Sequence, residues 1–120
     1  MKQTDHEKRP APGQIVHVVI DRPMNTYHPE HKDLFYPVNY GYIEGIIAPD
    51  GEEQDVYVLG VDHPVKEFTG KIIAVIHRLN DVEDKWVAVP ENMTMTAKEI
   101  MAQVLSLIHI SEPTRLGMIS

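Results

Sequence analysis

Short apolar runs broken by turn residues dominate the first ninety residues of the chain. Five of these runs are rich in β-branched and aromatic side chains, and Pro, Asp, Asn or Gly separates them: residues 14–21, 39–48, 55–61, 71–79 and 84–89. Such runs with turn chemistry roughly every 8 to 12 residues are typical of strands in a small barrel or sandwich. The pattern therefore predicts one mainly β domain over residues 14–104.

A helix is predicted at the end of this domain. Thr96 and Glu99 have the spacing of a capping box, in which each side chain binds a backbone N–H group of the other residue. Ile100, Met101 and Val104 follow at helical spacing. We expect this apolar stripe to pack over the barrel.

Neither end of the chain is expected to belong to this domain. Residues 1–13 are charged and rich in Pro, and we expect a disordered lead-in without the apolar core of a signal peptide. Leu105 to Arg115 reads LSLIHISEPTR, which is the translation of one frame of a transposase-based sequencing adapter. We therefore interpret residues 105–120 as a non-native read-through tail, and the underlying DNA sequence tests this interpretation.

The distribution of charge along the chain indicates which kinds of molecule the protein can bind. The formal net charge is −7, and no Lys or Arg occurs between Lys32 and Lys66, whereas seven acids do. Such a surface repels nucleic-acid phosphate and anionic membranes and attracts cations. The chain has no cysteine, so thiolate chemistry and disulfides are excluded. No apolar run approaches the length of a membrane span, and we expect a cytoplasmic protein without nucleic-acid or membrane partners.

Two acidic turns are the candidate sites of chemistry. Asp50 to Asp55 reads DGEEQD, and Asn80 to Lys85 reads NDVEDK; each turn leads into a predicted strand. A turn followed by a strand allows its carboxylates to converge, and carboxylates with waters and phosphate oxygens are the ligands that Mg²⁺ prefers. Spacing alone is weak evidence, because an acidic turn is more often solvated surface than a metal site.

A second set of motifs resembles the soluble inorganic pyrophosphatases. Tyr36 to Ile43 reads YPVNYGYI and is similar to the (F/Y)P-x-x-YGY(I/V) segment of that family. The first acidic turn follows at the expected distance, Val87 to Pro90 reads VAVP, and Val18 to Asp21 reads VVID, like the opening strand of the family. The resemblance extends over about residues 14–91.

The resemblance implies a fold and an activity. The expected fold is a mainly β, five-stranded OB-like barrel with a C-terminal helix, assembled into a homo-oligomer. The expected activity is hydrolysis of inorganic diphosphate to two orthophosphates, with Mg²⁺ as cofactor and Mn²⁺ as the alternative metal ion. In such chemistry, metal ions activate a water and clamp the attacking and leaving oxygens.

The resemblance also implies a set of site residues. The main candidate metal ligands are Asp50 and Asp55. Asp21 and Asp81 would bind further metal ions. In the second turn Glu83 is the favoured ligand, and Asp84 is its substitute. Glu52 stands where the family has its candidate general base. Tyr40 would hydrogen-bond a bound phosphate or the network of the attacking water, and Lys85 would neutralise phosphate oxygens. Lys32 is a further phosphate-binding candidate. We assign Tyr42 to packing and expect Trp86 to point into the core.

Three departures from the family pattern predict reduced efficiency. Glu52 replaces an Asp and reaches one methylene further, and a displacement of about 1 Å can cost roughly a hundredfold in rate. The second acidic turn is shortened. The segment between Asp21 and Tyr36 is also short, and of the residues that could replace a phosphate-binding hairpin only Arg22, His28, His31 and Lys32 remain.

Two other functions stay open on the sequence. One is a pyrophosphatase-like protein that binds divalent metal or phosphate compounds without turnover, which the departures would explain. The other is an OB-type nucleic-acid binder, which the negative charge opposes.

Overall fold

The protein is mainly β, with one helix. The computed structural model describes residues 13–28, 30, 32, 35–49, 51–78, 84–108 and 114–118. Its elements are β1 (Ile15–Arg22), β2 (Thr26–Tyr27), β3 (Phe35–Tyr36), β4 (Asn39–Ile47), β5 (Glu53–Val58), β6 (Glu67–Arg78), β7 (Asp84–Val89), α1 (Ala97–Ile108) and β8 (Thr114–Met118).

Five strands close into a barrel. Their order is β1-β4-β5-β7-β6, and β6 pairs with β1 to complete the ring. All of these pairs are antiparallel except β5–β7, which is parallel. Closure leaves these strands without long unpaired edges. The predicted five-stranded OB-like barrel is confirmed.

Side chains from one face of each strand fill the barrel interior. Alternate residues of β1 are buried while their neighbours are not, as expected for a strand with one inward face. The interior cluster contains Val16, Val18, Ile20, Ile43, Val56, Val58, Ile72, Val75, Trp86 and Ala88. Trp86 is 5% exposed, so its predicted core position is confirmed.

A second apolar cluster lies on the outside of the barrel and is covered by α1. Ile100 and Val104 are fully buried there against outward-facing residues such as Leu59 and Val87. The predicted capping box forms: Thr96 N–H donates to Glu99 Oε1 (2.9 Å) and Glu99 N–H donates to Thr96 Oγ1 (3.2 Å). The predicted helix is therefore confirmed.

Three short strands were not predicted from the sequence. β2 and β3 pair over two residues each, Thr26 with Tyr36 and Tyr27 with Phe35. β8 pairs with Ala74–Arg78 of β6, beyond the part of β6 that meets β1. β2 and β3 are too short to leave a recognisable pattern in the sequence, and β8 is defined by its pairing with β6. The interpretation of residues 105–120 as a read-through tail stays a prediction.

α1 is the one helix among the described residues, and it is too short to cross a membrane.

Candidate active site

Three polar side chains meet on the outer face of the barrel. In the register of β4 and β5, Tyr42 lies opposite Asp55 and Tyr40 lies opposite Tyr57. Residues opposite each other share a face, so Asp55 is on the face of Tyr40. β7 brings Lys85 beside them: its Nζ donates to Asp55 Oδ2 (2.8 Å) and to Tyr40 Oη (3.2 Å).

Lys85 is held as a cation in a largely buried position. Its side chain is 11% exposed, against 35% for Asp55. Burial by itself lowers the pKa of Lys85, but the electrostatic and hydrogen-bonding effects of Tyr40 and Asp55 outweigh it, and the pKa is raised. Burial raises the pKa of Tyr40, against the opposing effect of Lys85, so the phenol is neutral near pH 7. The cluster thus contains an ammonium, a carboxylate and a neutral hydroxyl.

The ammonium meets Tyr40 at its hydroxyl edge. Nζ of Lys85 is 5.7 Å from the ring centroid but 3.2 Å from the phenol oxygen. The contact is therefore a hydrogen bond rather than a cation–π interaction over the ring face.

Stacked aromatic rings hold Tyr40 in place. Its ring stacks on Tyr36, with centroids 5.8 Å apart, and contacts Tyr57 in a tilted arrangement at 5.1 Å. The ring of His28 also stacks on Tyr36, with centroids 6.4 Å apart. Such ring pairs stabilise a fixed orientation beyond the area that they bury.

A bulge at the end of β1 directs two more charged residues to this face. Ile20 lies opposite Gly41 and Arg22 lies opposite the next residue, Tyr40, so Asp21 is the extra residue of the bulge. A regular strand would return Arg22 to the inner face that Ile20 occupies. The bulge instead places Asp21 and Arg22 beside Tyr40, and bulges commonly redirect side chains in this way.

Asp21 and Asp55 are close enough for the charge of one to affect the pKa of the other. Partial desolvation raises the pKa of Asp21, the neighbouring Arg22 lowers it, and the carboxylate of Asp55 raises it. The two acids therefore repel each other. Among the described residues, no three His, Asp or Glu side chains form a group suited to a metal ion. One or two carboxylates with waters and phosphate oxygens are, however, the usual protein share of an Mg²⁺ site.

The residues that flank Tyr40 fix its strand. Asn39 is fully buried: its Oδ1 accepts from the N–H groups of Met24 (2.9 Å) and Val65 (3.3 Å), and its Nδ2 donates to the His63 carbonyl (3.0 Å). A Cβ atom on Gly41 would collide with the backbone carbonyl of β1. A side chain at this position would separate β1 from β4 at the bulge.

One protein-family model matches most of the chain. The family model described as inorganic pyrophosphatase matches residues 7–110. The chain belongs to the inorganic pyrophosphatase family.

Solved structures of bacterial pyrophosphatases share the fold. An inorganic pyrophosphatase from Neisseria gonorrhoeae is 20% identical, with a TM-score of 0.65, and the match covers 95% of this chain and 90% of that one. One from Coxiella burnetii is 22% identical, with a TM-score of 0.57 and coverage of 92% and 87%. One from Ehrlichia chaffeensis is 21% identical, with a TM-score of 0.59 and coverage of 82% of both chains. A search of curated protein sequences returned no match.

Membership of the family gives the chain its enzyme class. Inorganic pyrophosphatases are hydrolases, and the family depends in general on divalent metal ions. The identities to solved structures are low, so those matches support the fold and not individual site residues.

Within this pyrophosphatase fold, the structure unites some predicted site residues and separates others. Tyr40, Asp55 and Lys85 are in direct contact, and Asp21 lies near them. Asp84 is not brought to this cluster. It is on the opposite strand face from Lys85, and its Oδ1 forms an ion pair with His77 Nδ1 at 3.0 Å.

The remaining predicted residues are exposed or lie outside the described residues. Glu52 is exposed in a tight turn, where Gly51 N–H donates to the Ala48 carbonyl (2.9 Å) and Ala48 N–H donates to the Glu52 carbonyl (2.8 Å). Lys32 is exposed, and no hydrogen bond or ion pair joins it to the described residues of the cluster. The predicted ligands Asp50, Asp81 and Glu83 lie outside the described residues, and their roles stay predictions.

The assignment of Tyr42 to the core is wrong. Residues two apart on a strand point to the same side, so Tyr42 shares the outer face of Tyr40. Tyr42 is half-buried, lies opposite Asp55, and belongs to neither apolar cluster. The period of the strand, correctly applied, would have predicted this.

Proposed function

We propose that this chain hydrolyses inorganic diphosphate to two orthophosphates and requires Mg²⁺, for which Mn²⁺ can substitute. The observation that carries the proposal is the contact of the Lys85 ammonium with both the Asp55 carboxylate and the Tyr40 hydroxyl. A buried cation, a partly exposed carboxylate and a phenol side by side are suited to a highly charged phosphate substrate and its metal ion.

The carboxylates on this face fit a divalent cation. Asp21 and Asp55 would hold it, because a cation beside them offsets the desolvation and the smaller repulsion from Asp55 that together raise the pKa of Asp21. Asp50, Asp81 and Glu83 are proposed as further ligands on the sequence motif alone. When bound, the ion lowers the pKa of a water molecule and neutralises phosphate oxygens.

Lys85 and Tyr40 would act on the substrate directly. The Lys85 ammonium has three N–H donors and lies at low exposure, where charge stabilisation is stronger than in bulk water. The Tyr40 oxygen accepts from Lys85, so the phenol can donate its own proton to a phosphate oxygen. Both groups are held before substrate arrives, which limits the reorganisation needed during the reaction.

We also propose that turnover is slower than the family pattern would give. Glu52 carries the general-base position on a side chain one methylene longer than Asp. Because general-base catalysis depends on hydrogen-bond reach, such a change alters the position of the activated water.

The test is release of orthophosphate from diphosphate with Mg²⁺ and with a chelator. We expect activity only with Mg²⁺, and its loss in Asp55→Asn, because the amide keeps the shape but removes the charge that faces Lys85 and the metal. Asp62→Asn is the matched control, since Asp62 is a fully exposed acid that pairs with His63.

The outcomes separate the candidate functions. Wild-type activity in Asp55→Asn would refute this site. A wild-type chain that binds Mg²⁺ and diphosphate but releases no orthophosphate would instead establish the binding protein without turnover.

A further inference from the structure

We propose that Arg22 is a substrate-positioning residue, and that its guanidinium binds a phosphate group of the diphosphate. The inference rests on the proposed function and adds to it a phosphate-binding residue that lies on β1. The sequence left Arg22 as one of four possible replacements for the phosphate-binding hairpin, and its placement on this face follows from the bulge.

The bulge is the structural feature that brings Arg22 to the site. Arg22 lies opposite Tyr40, and directly opposed residues on paired strands have Cβ atoms about 4.5–5.5 Å apart on the same face. Tyr40 in turn contacts Lys85. Arg22 is thus one residue removed from the ammonium that we assign to phosphate.

The guanidinium is oriented by the bulge itself. Arg22 is half-buried, and its Nη1 donates to the carbonyl of Asp21 at 3.0 Å. The positive charge is close enough to the Asp21 carboxylate to lower its pKa. An Arg side chain has five donors in a rigid fork, and the fork can bind phosphate oxygens in pairs while one donor stays on the backbone.

The charge balance of this face favours such a residue. Asp21 and Asp55 carry two negative charges and Lys85 carries one positive charge, so the face would be net negative without Arg22 or a metal ion. Diphosphate adds more negative charge. Arg22 offsets part of the repulsion, in a chain with no Lys or Arg between Lys32 and Lys66.

Two measurements on the whole chain test the assignment. The first is binding of methylenediphosphonate, a non-hydrolysable diphosphate analogue, with Mg²⁺ by calorimetry; the second is KM and kcat for diphosphate. We expect Arg22→Met to raise both the Kd of the analogue and KM by roughly ten- to a hundredfold, the loss of one charge-assisted contact, with a smaller change in kcat. Arg22→Lys should restore part of the loss.

Two further variants control for structural effects. Arg22→Gln keeps a donor for the Asp21 carbonyl and loses the charge, so it replaces Arg22→Met if the latter fails to fold. Lys98→Met removes a positive charge from the exposed start of α1 and should leave KM and Kd unchanged.

Each result distinguishes the two proposals. Wild-type KM and Kd in the folded neutral variants would overturn the role of Arg22 and leave the proposed function standing. A wild-type chain that binds the analogue but cleaves no diphosphate, with binding weakened in Arg22→Met, would keep Arg22 and remove the hydrolase. A chain that neither binds nor cleaves would overturn both.

Discussion

Lys85 shows how strongly a single residue depends on its neighbours. A lysine next to an acidic turn is normally a solvated surface charge. Here its ammonium is buried against Asp55 and Tyr40, and the ring contacts of Tyr40 with Tyr36 and Tyr57 hold that tyrosine in place. The sequence motif indicated Lys85 as a site residue, but only the register of β5 and β7 shows that its partner is Asp55.

Substitution of Lys85 should reduce catalysis more than folding. Lys85→Met keeps the length and most of the apolar stem, so we expect it to fold. Loss of the cation that faces phosphate should reduce kcat by about a hundredfold or more, comparable to the loss of one donor at a site of developing charge. Phosphate release and thermal unfolding of the same preparation measure the two effects.

Lys66→Met is the control for this prediction, because Lys66 is an exposed residue before β6. A Lys85→Met variant with wild-type kcat would show that the ammonium does not act on the substrate.

Strand β4 organises the elements around the site. It carries Tyr40 between the buried Asn39 and Gly41, and it separates β1, which has the bulge, from β5, which has Asp55. Asn39 ties this strand to the loops at Met24 and at residues 63–65 by three hydrogen bonds. Asn39 therefore joins two loops that are far apart in the sequence.

Asn39→Ala should destabilise the fold markedly. The change leaves two part-buried backbone N–H donors and one carbonyl without their Asn39 partner, and we expect a loss of about 2–4 kcal/mol in the free energy of unfolding. Urea denaturation measures it.

The exposed Asn92→Ala is a matched control for Asn39→Ala, and we expect it to change the free energy of unfolding by about 0.5 kcal/mol or less. Equal midpoints for the two variants would contradict the role of Asn39 in tying the loops to β4.

At the scale of the whole molecule, one histidine links three strands of the barrel. His17 on β1 contacts Glu44 of β4 through Nδ1 (3.0 Å) and Glu67 of β6 through Nε2 (2.7 Å). The hydrogen bonds to Glu44 and Glu67 raise the pKa of His17. The protonated ring can donate to both carboxylates, whereas the neutral ring can donate to only one.

Stability should therefore depend on pH through His17. Its pKa is raised on folding, so its contribution is fully present below the unfolded value of about 6.5 and is lost as the pH rises through the folded value. We expect the Tm of the wild-type chain to exceed that of His17→Gln at pH 5.5, and the difference to shrink at pH 9. The other titrating groups are common to both proteins, and added salt should reduce the difference because all three side chains are exposed.

A difference between the two Tm values that grows as the pH rises would contradict this assignment.

The sequence by itself determined the features that depend on neighbouring residues. The capping box at Thr96 and Glu99, the apolar runs of the five barrel strands and the YPVNYGYI motif are all local, and they predicted the fold class, the helix and the family. Tyr40, Asp55 and Lys85 were found in this way because their motifs are contiguous.

Only the tertiary structure decided which of these residues meet. A shift of one residue in strand register moves every side chain of the strand to the other face of the sheet. Contacts between distant segments therefore decide three features: the bulge at Asp21, the outward direction of Arg22 and the pairing of Asp84 with His77. Barrel closure by β6 and β1 depends on such contacts as well. The local sequence determines whether a segment tends to form a strand. The pairing of that strand with its neighbours determines which face of the sheet each charged side chain lies on.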